Sequence, residues 1–533
     1  MTSRMRDIGQ HEVRPGPPTW KPSLAVSLIL GMGLVGVLLI LAASPHGLGV
    51  RGDSVTYMAA AENMLTGRGF SRPTGIGVKP LTHFPPLFPA LLALERAAGI
   101  PLTEAARWTN ALLFGINIVL LGWMVVRMTG RPWVGVAGAA LALVSPTLVR
   151  NHLWVMSEPL FLTLSLVSLL ALASYLESGQ LRLLLVAAAA ASLALLNRYA
   201  AAGLAASGVL GLLGIPGASN RRARDVIVYS LIVSVPTVLW FVRNARVAGT
   251  ATNRNFVFHP LTSAEWKAPV QLIWTWLLPF NFTTAALYGT ALTLGVLLLG
   301  GLALLIAMGG HGRSRAWAAM RSQALVTLVA LFIGCYTVMV LITKLFLDAA
   351  TPIDERIAMP VFAGMLALAL TGWSWLERRS GRSRWFLGAS TVLLGMILLS
   401  YAPRSARYMY RSLTTGLGYT ISMVLGSDVS QAAAELDPSL ILYTNEPELL
   451  YFLTHRNAYM IPHGVDTATL EVNSEFAQDL REMQERIDRG EAGLVIYSSL
   501  ENRPDLPPLA QLAQGRDPYF VGNQGSIYLV PVP

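Results

Sequence analysis

Asp53 is an acidic residue at a position where a carboxylate could do chemistry. It lies in "GVRGDSVTYMAAAENMLTGRGF", Gly49–Phe70. This segment follows about twenty apolar residues, a length that crosses a bilayer. A carboxylate just outside a membrane can act as a general base toward a hydroxyl, or as a metal ligand. The residues after Asp53 also have a helical pattern, and Asp is a favoured helix N-cap, so a structural role is an open alternative.

A second carboxylate, Glu158, lies at the start of a later apolar run. It stands between Ser157 and Pro159 in "RNHLWVMSEPLFLTLSLVSLL". Proline and glutamate are both ordinary residues in the first turn of a helix. The sequence is therefore compatible with a structural helix start and with a carboxylate that faces Asp53 across an outer cavity.

Several cationic and polar residues are expected at the same depth as the two carboxylates. Charge near a bilayer is costly and usually marks a site or a pathway. Arginines in extracytoplasmic loops are unusual. A phosphate ligand would explain them, because the planar guanidinium group matches the geometry of phosphate oxygens. Contact with lipid headgroups is the alternative explanation. The residues are Tyr57, Arg68, Lys79, His83, Arg198, Arg243 and Arg356.

The composition requires a membrane to hold these residues in place. The 533 residues are 53% hydrophobic and only 13% charged, against about 25% charged in soluble domains. The fold class predicted is therefore a polytopic α-helical membrane protein. The formal charge of +10 is interpreted as a topology signal, since no basic stripe interleaves with aromatics, and no nucleic-acid partner is expected. The single cysteine, Cys335, excludes an internal disulfide.

About eleven transmembrane helices are predicted from the apolar runs, with the first span retained rather than cleaved. Short loops rich in arginine, such as "GASNRRARD" and "ERRSGRSR", all fall on one side if the N-terminus is cytoplasmic. The longer segments and the C-terminus then lie outside. The predicted spans are about 23–43, 106–127, 132–149, 156–176, 182–197, 199–216, 226–246, 286–308, 322–343, 357–376 and 385–402.

Three regions are predicted along the chain. Residues 1–22 form a basic cytoplasmic N-terminus, and residues 23–402 form the transmembrane domain with its outer loops. Residues 403–533 contain short β-rich runs such as "LILYT" and "GLVIYSS" between helical patterns. This alternation is typical of a small soluble α/β domain, here extracytoplasmic.

The order of motifs resembles the GT-C superfamily of membrane glycosyltransferases. The motifs are an Asp after the first span followed by "Y…A.N…G.GF", then "PPLFP", "SEPLF", "NRY", "FVRN" and "DER…MP". The sequence looks most similar to the branch with the protein O-mannosyltransferase-like enzymes, the lipid A aminoarabinose transferases and the rhizobial lipopolysaccharide core transferases. The resemblance covers about residues 23–400.

The resemblance implies transfer of a sugar from a polyprenyl-phosphate donor to an extracytoplasmic glycolipid, polysaccharide or protein acceptor. It maps an essential catalytic carboxylate onto Asp53 and a second acidic residue onto Glu158. It also implies that basic residues bind the donor phosphate and that other polar residues on the outer segment contact the substrate. By position, the phosphate ligands are Lys79, Arg198, Arg243 and Arg356, and the substrate-binding residues are Tyr57, Arg68 and His83.

Two further expectations complete the sequence-based hypothesis. No metal is expected, although Asp53 and Glu158 together could hold a divalent ion. The location expected is the inner (plasma) membrane of the cell envelope, as a multi-pass protein with its catalytic loops on the periplasmic side. The alternative function is a flippase or transporter of a polyprenyl-linked sugar, which would more often carry charge at the membrane midplane. A glycan polymerase is a chemically closer rival.

Overall fold

A computed structural model describes residues 22–215, 221–277, 323–379, 384–466, 468–503 and 505–530. Helices dominate up to residue 415. They are α1 Pro22–Ala43, α2 Gly52–Leu65, α3 Leu87–Ala97, α4 Leu102–Thr129, α5 Pro132–Leu143, α6 Pro146–His152, α7 Glu158–Ser178, α8 Leu181–Asn197, α9 Ala202–Gly214, α10 Arg222–Ala248, α11 Ser263–Leu277, α12 Ala324–Ile342, α13 Met359–Arg379 and α14 Arg384–Thr415.

Six helices in the described ranges are long and apolar enough to cross a membrane. They are α1, α4, α7, α10, α12 (with the π-helical turn that follows it, Thr343–Leu347) and α13. The chain is thus a multi-pass membrane protein. The predicted count of eleven is not confirmed, and the predicted span 286–308 lies outside the described residues.

The predicted span 132–149 is bent rather than straight. Helices α5 and α6 meet at an angle of 55°. Pro146 cannot continue the hydrogen-bond ladder of α5, and Ser145 caps the new helix by accepting a bond from the backbone N–H of Leu148. The predicted spans 182–197 and 199–216 correspond to α8 and α9, which are apolar but shorter than the six candidates. Arg198 separates them in an extended conformation.

The helices pack in close pairs, with α1 along α4, α7 along α8 and α9 along α12. Small residues permit the close approach that membrane helix pairs need. A Cβ on Gly203 of α9 would lie 2.6 Å from the Tyr336 Cα of α12. The apolar core between the helices includes Phe114, Ile118 and Phe161. This packing fixes the helix ends, from which the functional side chains extend.

Beyond residue 415 the chain forms a five-stranded mixed sheet. Its strands, numbered after the β1–β2 hairpin of residues 71–80, are β3 Ile441–Thr444, β4 Tyr459–Met460, β5 Ala492–Tyr497, β6 Phe520–Gly522 and β7 Gly525–Tyr528. The strand order is β4-β3-β5-β7-β6; β3 is parallel to β4 and β5, and β7 is antiparallel to β5 and β6. The accompanying helices are α15 Ser422–Leu425, α16 Asp428–Glu435, α17 Pro447–Thr454, α18 Phe476–Asp488 and α19 Leu509–Ala513. Helix α14 runs through the predicted boundary at residue 402. The division into three regions, with a separate soluble domain, stays a prediction.

Two local contacts attach the sheet region and the helices to the start of α2. The backbone N–H of Tyr419 donates to Val50 O at 2.9 Å, and that of Val155 donates to Gly49 O at 2.9 Å. Residues 71–80 form a hairpin of β1 (Ser71–Pro73) and β2 (Val78–Pro80) after α2. The start of α2, with Asp53, is therefore held between α6 and the sheet region.

Candidate active site

Asp53 is the second residue of α2, not its cap. The cap is Arg51, whose backbone is extended, and the helix begins at Gly52. The alternative N-cap role for Asp53 is therefore wrong. Its carboxylate instead accepts a hydrogen bond from Arg356 Nη1 at 2.5 Å. The side chain of Asp53 remains 35% exposed. Asp53 therefore binds Arg356 and is still accessible to a substrate.

Glu158 lies beneath two arginines. Its Oε1 is 2.7 Å from Arg198 Nη1 and 3.3 Å from Arg356 Nε. The side chain is 1% exposed. Arg356 therefore bridges the two carboxylates that were predicted to be catalytic, and only Asp53 of the two is accessible to a substrate.

These side chains surround a cavity of about 220 Å³. Tyr57 closes one side, with its ring packed edge-on against Phe84 and Phe88. Its hydroxyl lies 3.4 Å from Ser157 Oγ, which also accepts a bond from Arg198 Nη1 at 3.0 Å. Aromatic packing thus positions the polar end of Tyr57 beside the charged cluster.

The opposite wall is formed by loop residues. Arg254 Nη2 is 3.6 Å from Asp348 Oδ2 and 3.5 Å from His83 Nε2. The sequence-based set of site residues omits Arg254 and Asp348. Both lie in the long segments that were predicted to be outside, and an arginine there is unusual by the same sidedness rule that singled out Arg243. The sidedness rule therefore marks Arg254 as a candidate site residue from the sequence alone.

Burial sets the protonation states of several groups around the cavity. Burial lowers the pKa of His83 to about 4, and the nearby Arg254 guanidinium adds to this effect. Burial also raises the pKa of Tyr57, with a further contribution from the Asp53 charge. For Arg356, burial alone would lower the pKa, but the Glu158 and Asp53 carboxylates raise it above its ordinary value. His83 and Tyr57 are therefore neutral at pH 7, while Arg356 is charged.

Three predicted site residues lie away from this cavity. Arg243 stacks on Trp240, with its guanidinium carbon 4.9 Å from the ring centroid, and donates to Phe70 O at 3.3 Å. Lys79 is exposed on β2 and lines a separate cavity beside the sheet. Arg68 is exposed just after α2. The structure does not place these three with the charged cluster, whereas Asp53, Tyr57, His83, Glu158, Arg198 and Arg356 are brought together.

The two carboxylates of this site contact the same guanidinium. A cation-binding pair would aim its oxygens at a shared ion, but Asp53 and Glu158 share the Arg356 guanidinium instead. Among the described residues, no group of three or more His, Cys, Asp or Glu side chains is placed to ligate a metal.

One family model and several solved structures are similar to this chain. The model of the dolichyl-phosphate-mannose-protein mannosyltransferase family matches residues 83–240. ArnT from Cupriavidus metallidurans bound to undecaprenyl phosphate superposes with a TM-score of 0.52 at 15% identity, covering 94% of this chain and 97% of that chain. ArnT in the apo state superposes with a TM-score of 0.54 at 15% identity, covering 95% and 98%.

The chain has the GT-C fold. The archaeal oligosaccharyltransferase AglB from Archaeoglobus fulgidus, in complex with an inhibitory peptide and a dolichol-phosphate, also matches, with a TM-score of 0.50 at 12% identity over 89% of this chain and 70% of that chain. No curated protein sequence matches the chain. The resemblance inferred from the motif order is confirmed at the level of this GT-C fold. Within it, the charged cluster lies where α2, α7 and the segment before α13 meet.

Proposed function

We propose that this GT-C protein transfers a sugar from a polyprenyl-phosphate carrier to an acceptor hydroxyl at the membrane surface. The observation that supports this most directly is the contact of Asp53 with Arg356 in a cavity that Arg198 and Arg254 also line. Three guanidiniums suit a phosphate, and an accessible carboxylate suits a hydroxyl. ArnT in complex with undecaprenyl phosphate and AglB in complex with dolichol-phosphate are consistent with such a donor.

The reaction proposed is a single displacement at the anomeric carbon. The acceptor oxygen forms a bond to that carbon while the bond from the carbon to the phosphate oxygen breaks. Asp53 takes the hydroxyl proton, and the electron pair of the broken bond leaves with the phosphate. Arg198, Arg254 and Arg356 stabilise the charge that builds on the phosphate. Glu158 is buried, so its proposed role is to position two of these arginines rather than to touch the substrate.

An apolar groove between α9 and α12 is the proposed seat of the polyprenyl chain. The groove has a volume of about 790 Å³ and is lined by small and apolar side chains, including Gly203 and Gly334. It extends along α12 from Val326 to Ile342, which is about 24 Å at 1.5 Å per residue. Ile342 is followed directly by Thr343, which lines the charged cavity. A chain in the groove would therefore present its phosphate to the arginines.

The proposal is tested with Asp53→Asn in purified protein supplied with synthetic polyprenyl-phosphate sugars and an envelope glycolipid extract. We expect kcat to fall by about 10²–10⁴-fold, the usual contribution of a general base, while undecaprenyl phosphate still binds. The matched control is Glu62→Gln on the same helix, whose carboxylate is 42% exposed and pairs with Arg96; its activity should be unchanged. Full transfer by Asp53→Asn would remove the proposed base.

The same preparation separates the enzyme from a flippase. The charged residues of the cavity lie at helix ends: Glu158 begins α7, Arg198 follows α8 and Arg356 precedes α13. A transporter would more often carry charges near the midplane. Movement of a labelled polyprenyl-phosphate sugar across liposomes, at a rate that Asp53→Asn does not change, would favour the flippase.

The cofactor requirement and the orientation are part of the proposal. We propose that transfer needs no metal, because the guanidiniums already provide cationic charge. Activity should persist in EDTA and be unchanged by added Mg²⁺. We also propose a cytoplasmic N-terminus and an extracytoplasmic C-terminus. Alkaline phosphatase fused after residue 533 should be active in the periplasm. An inactive fusion would contradict the proposed orientation.

A further inference from the structure

A second polar cavity lies on the other face of α2. Its volume is about 280 Å³, and it is lined by Val55 and Thr56 of α2 together with residues of the hairpin and the sheet region. Asp53 and Tyr57, on the same helix, line the charged cavity. Helix α2 is thus the partition between the two cavities.

The partition is thin at the start of α2. A Cβ on Gly52, the residue before Asp53, would lie 3.7 Å from Glu448 Cγ. Glu448 lines the second cavity, so this end of the cavity lies one residue from Asp53 along α2. A molecule in the second cavity needs only to pass the start of α2 to reach the Asp53 carboxylate.

This second cavity continues into a third. The third cavity has a volume of about 430 Å³ and shares Met460 and His463 with the second. It follows the sheet from Tyr459 to helix α18, where Asp479 and Glu482 reach it. The two cavities together form one groove, which is called the outer groove below. It runs from Thr56 of α2 to Glu482 of α18, so it suits an extended chain rather than a single small molecule.

The chemistry of the outer groove favours a neutral polyhydroxylated ligand. Three cationic and three acidic side chains line it, so its formal charge balances: Arg72, Lys79 and Arg486 against Glu448, Asp479 and Glu482. Glu448 and Asp479 have no ion-pair partner among the described residues. Their oxygens can accept hydrogen bonds from hydroxyl groups. The half-buried ring of Tyr451 adds an amphipathic surface, which suits the apolar face of a sugar.

A peptide in extended form fits the outer groove less well. Peptides commonly bind by adding a strand to an exposed sheet edge, and β4 is the edge strand that lines the outer groove. The turn of the β1–β2 hairpin covers that edge. Asn457 Nδ2 donates to Gly77 O at 2.9 Å, and Gly75 packs against the Tyr459 ring. The place that a peptide strand would take is occupied by the chain itself.

We propose that the outer groove binds the acceptor, and that the acceptor is a neutral glycan chain. This inference rests on the proposed function, since it assigns the groove to the second substrate of the transfer. The non-reacting sugars lie along Glu448, Tyr451 and Asp479. The terminal sugar turns around the start of α2 and presents its hydroxyl to Asp53.

The test measures binding of the full-length protein in nanodiscs to an array of neutral mannan, glucan and galactan oligosaccharides, with peptides on the same array. Wild type should bind at least one oligosaccharide. Glu448→Gln and Asp479→Asn should each weaken that binding at least about tenfold, the effect of one lost hydrogen bond to a charged group. The matched control is Glu435→Gln, an exposed carboxylate at the end of α16 outside both cavities, which should bind as wild type does.

Undecaprenyl phosphate affinity and the unfolding temperature, measured on the same preparations, show whether each variant is folded. The inference is overturned if wild type binds no neutral oligosaccharide, if it binds peptides instead, or if only one of the two variants loses affinity. Its failure is distinct from failure of the proposed function. Groove-dependent glycan binding without undecaprenyl phosphate binding would overturn the donor assignment alone, whereas the reverse result would overturn the outer groove alone.

Discussion

Replacement of Glu158 by glutamine tests whether the buried charges around Arg356 form one network, in which each charge is stabilised by its partners. The carboxylate is 1% exposed and contacts Arg198 at 2.7 Å and Arg356 at 3.3 Å. Breaking a buried ion pair by removing one partner costs about 3–5 kcal/mol, because a buried charge is left uncompensated. We expect a loss at the lower end, about 3 kcal/mol, since Arg356 keeps Asp53 as a partner.

The same helix offers a matched control at its other end. Glu177 pairs with Arg127 at 2.6 Å, but the Glu177 side chain is 48% exposed. Exposed pairs contribute about 0.2–1 kcal/mol, so Glu177→Gln should lie in that range. The measurement is SDS-induced unfolding in mixed micelles, followed by tryptophan fluorescence.

Undecaprenyl phosphate gives the experiment a second readout. In Glu158→Gln, Arg198 keeps its bond to Ser157 and Arg356 its bond to Asp53, while the cluster gains one net positive charge. The anion should therefore bind the variant more tightly and stabilise it more than wild type. A ligand at 100 times its Kd stabilises by about 2.7 kcal/mol, enough to recover most of the loss. Equal losses for Glu158→Gln and Glu177→Gln, or equal stabilisation of variant and wild type by the lipid, would refute the network.

Three further predictions concern other parts of the molecule. The pKa of His83 in the folded state is about 4, below its ordinary 6.5, so the unfolded state binds a proton more readily. The free energy of unfolding should therefore fall as the pH falls from 6.5 toward 4. In His83→Gln, the free energy of unfolding should depend less on pH over this range. Arg254→Gln should weaken undecaprenyl phosphate binding about tenfold in a lipid-binding assay, whereas Arg246→Gln, exposed on α10, should leave it unchanged. Gly203→Ala should destabilise the protein by about 1–3 kcal/mol, because the added Cβ meets the α12 backbone; Gly214→Ala, with open space around it, should be neutral in the same unfolding assay.

Hydropathy predicted the long helices well and their irregularities poorly. The runs 23–43, 106–127 and 226–246 agree with α1, α4 and α10 to within a few residues at each end. The apolar character of each residue is a local property, so a window average finds these helices. A window average registers neither the bend at Pro146, which one proline and its Ser145 cap produce, nor the continuation of α14 through polar sequence to Thr415.

Sequence position does not show in which direction a charged side chain points. Lys79 and Arg243 were expected with Arg198 and Arg356 because all four were predicted to lie at the same depth. Depth follows from hydropathy, whereas the side of a helix on which a residue lies depends on rotation about the helix axis. Arg243 points to Trp240 and Phe70 instead of the cavity.

The sequence by itself determined that Asp53, Glu158, Arg198 and Arg356 lie beside the long apolar runs rather than in their centres, because the cost of burying a charge applies to each residue separately. Only the tertiary structure decided which of them meet. Asp53 and Arg356 are 303 residues apart in the chain and 2.5 Å apart in space. A distance of that kind depends on how the helices between them pack, a collective property that no single segment carries.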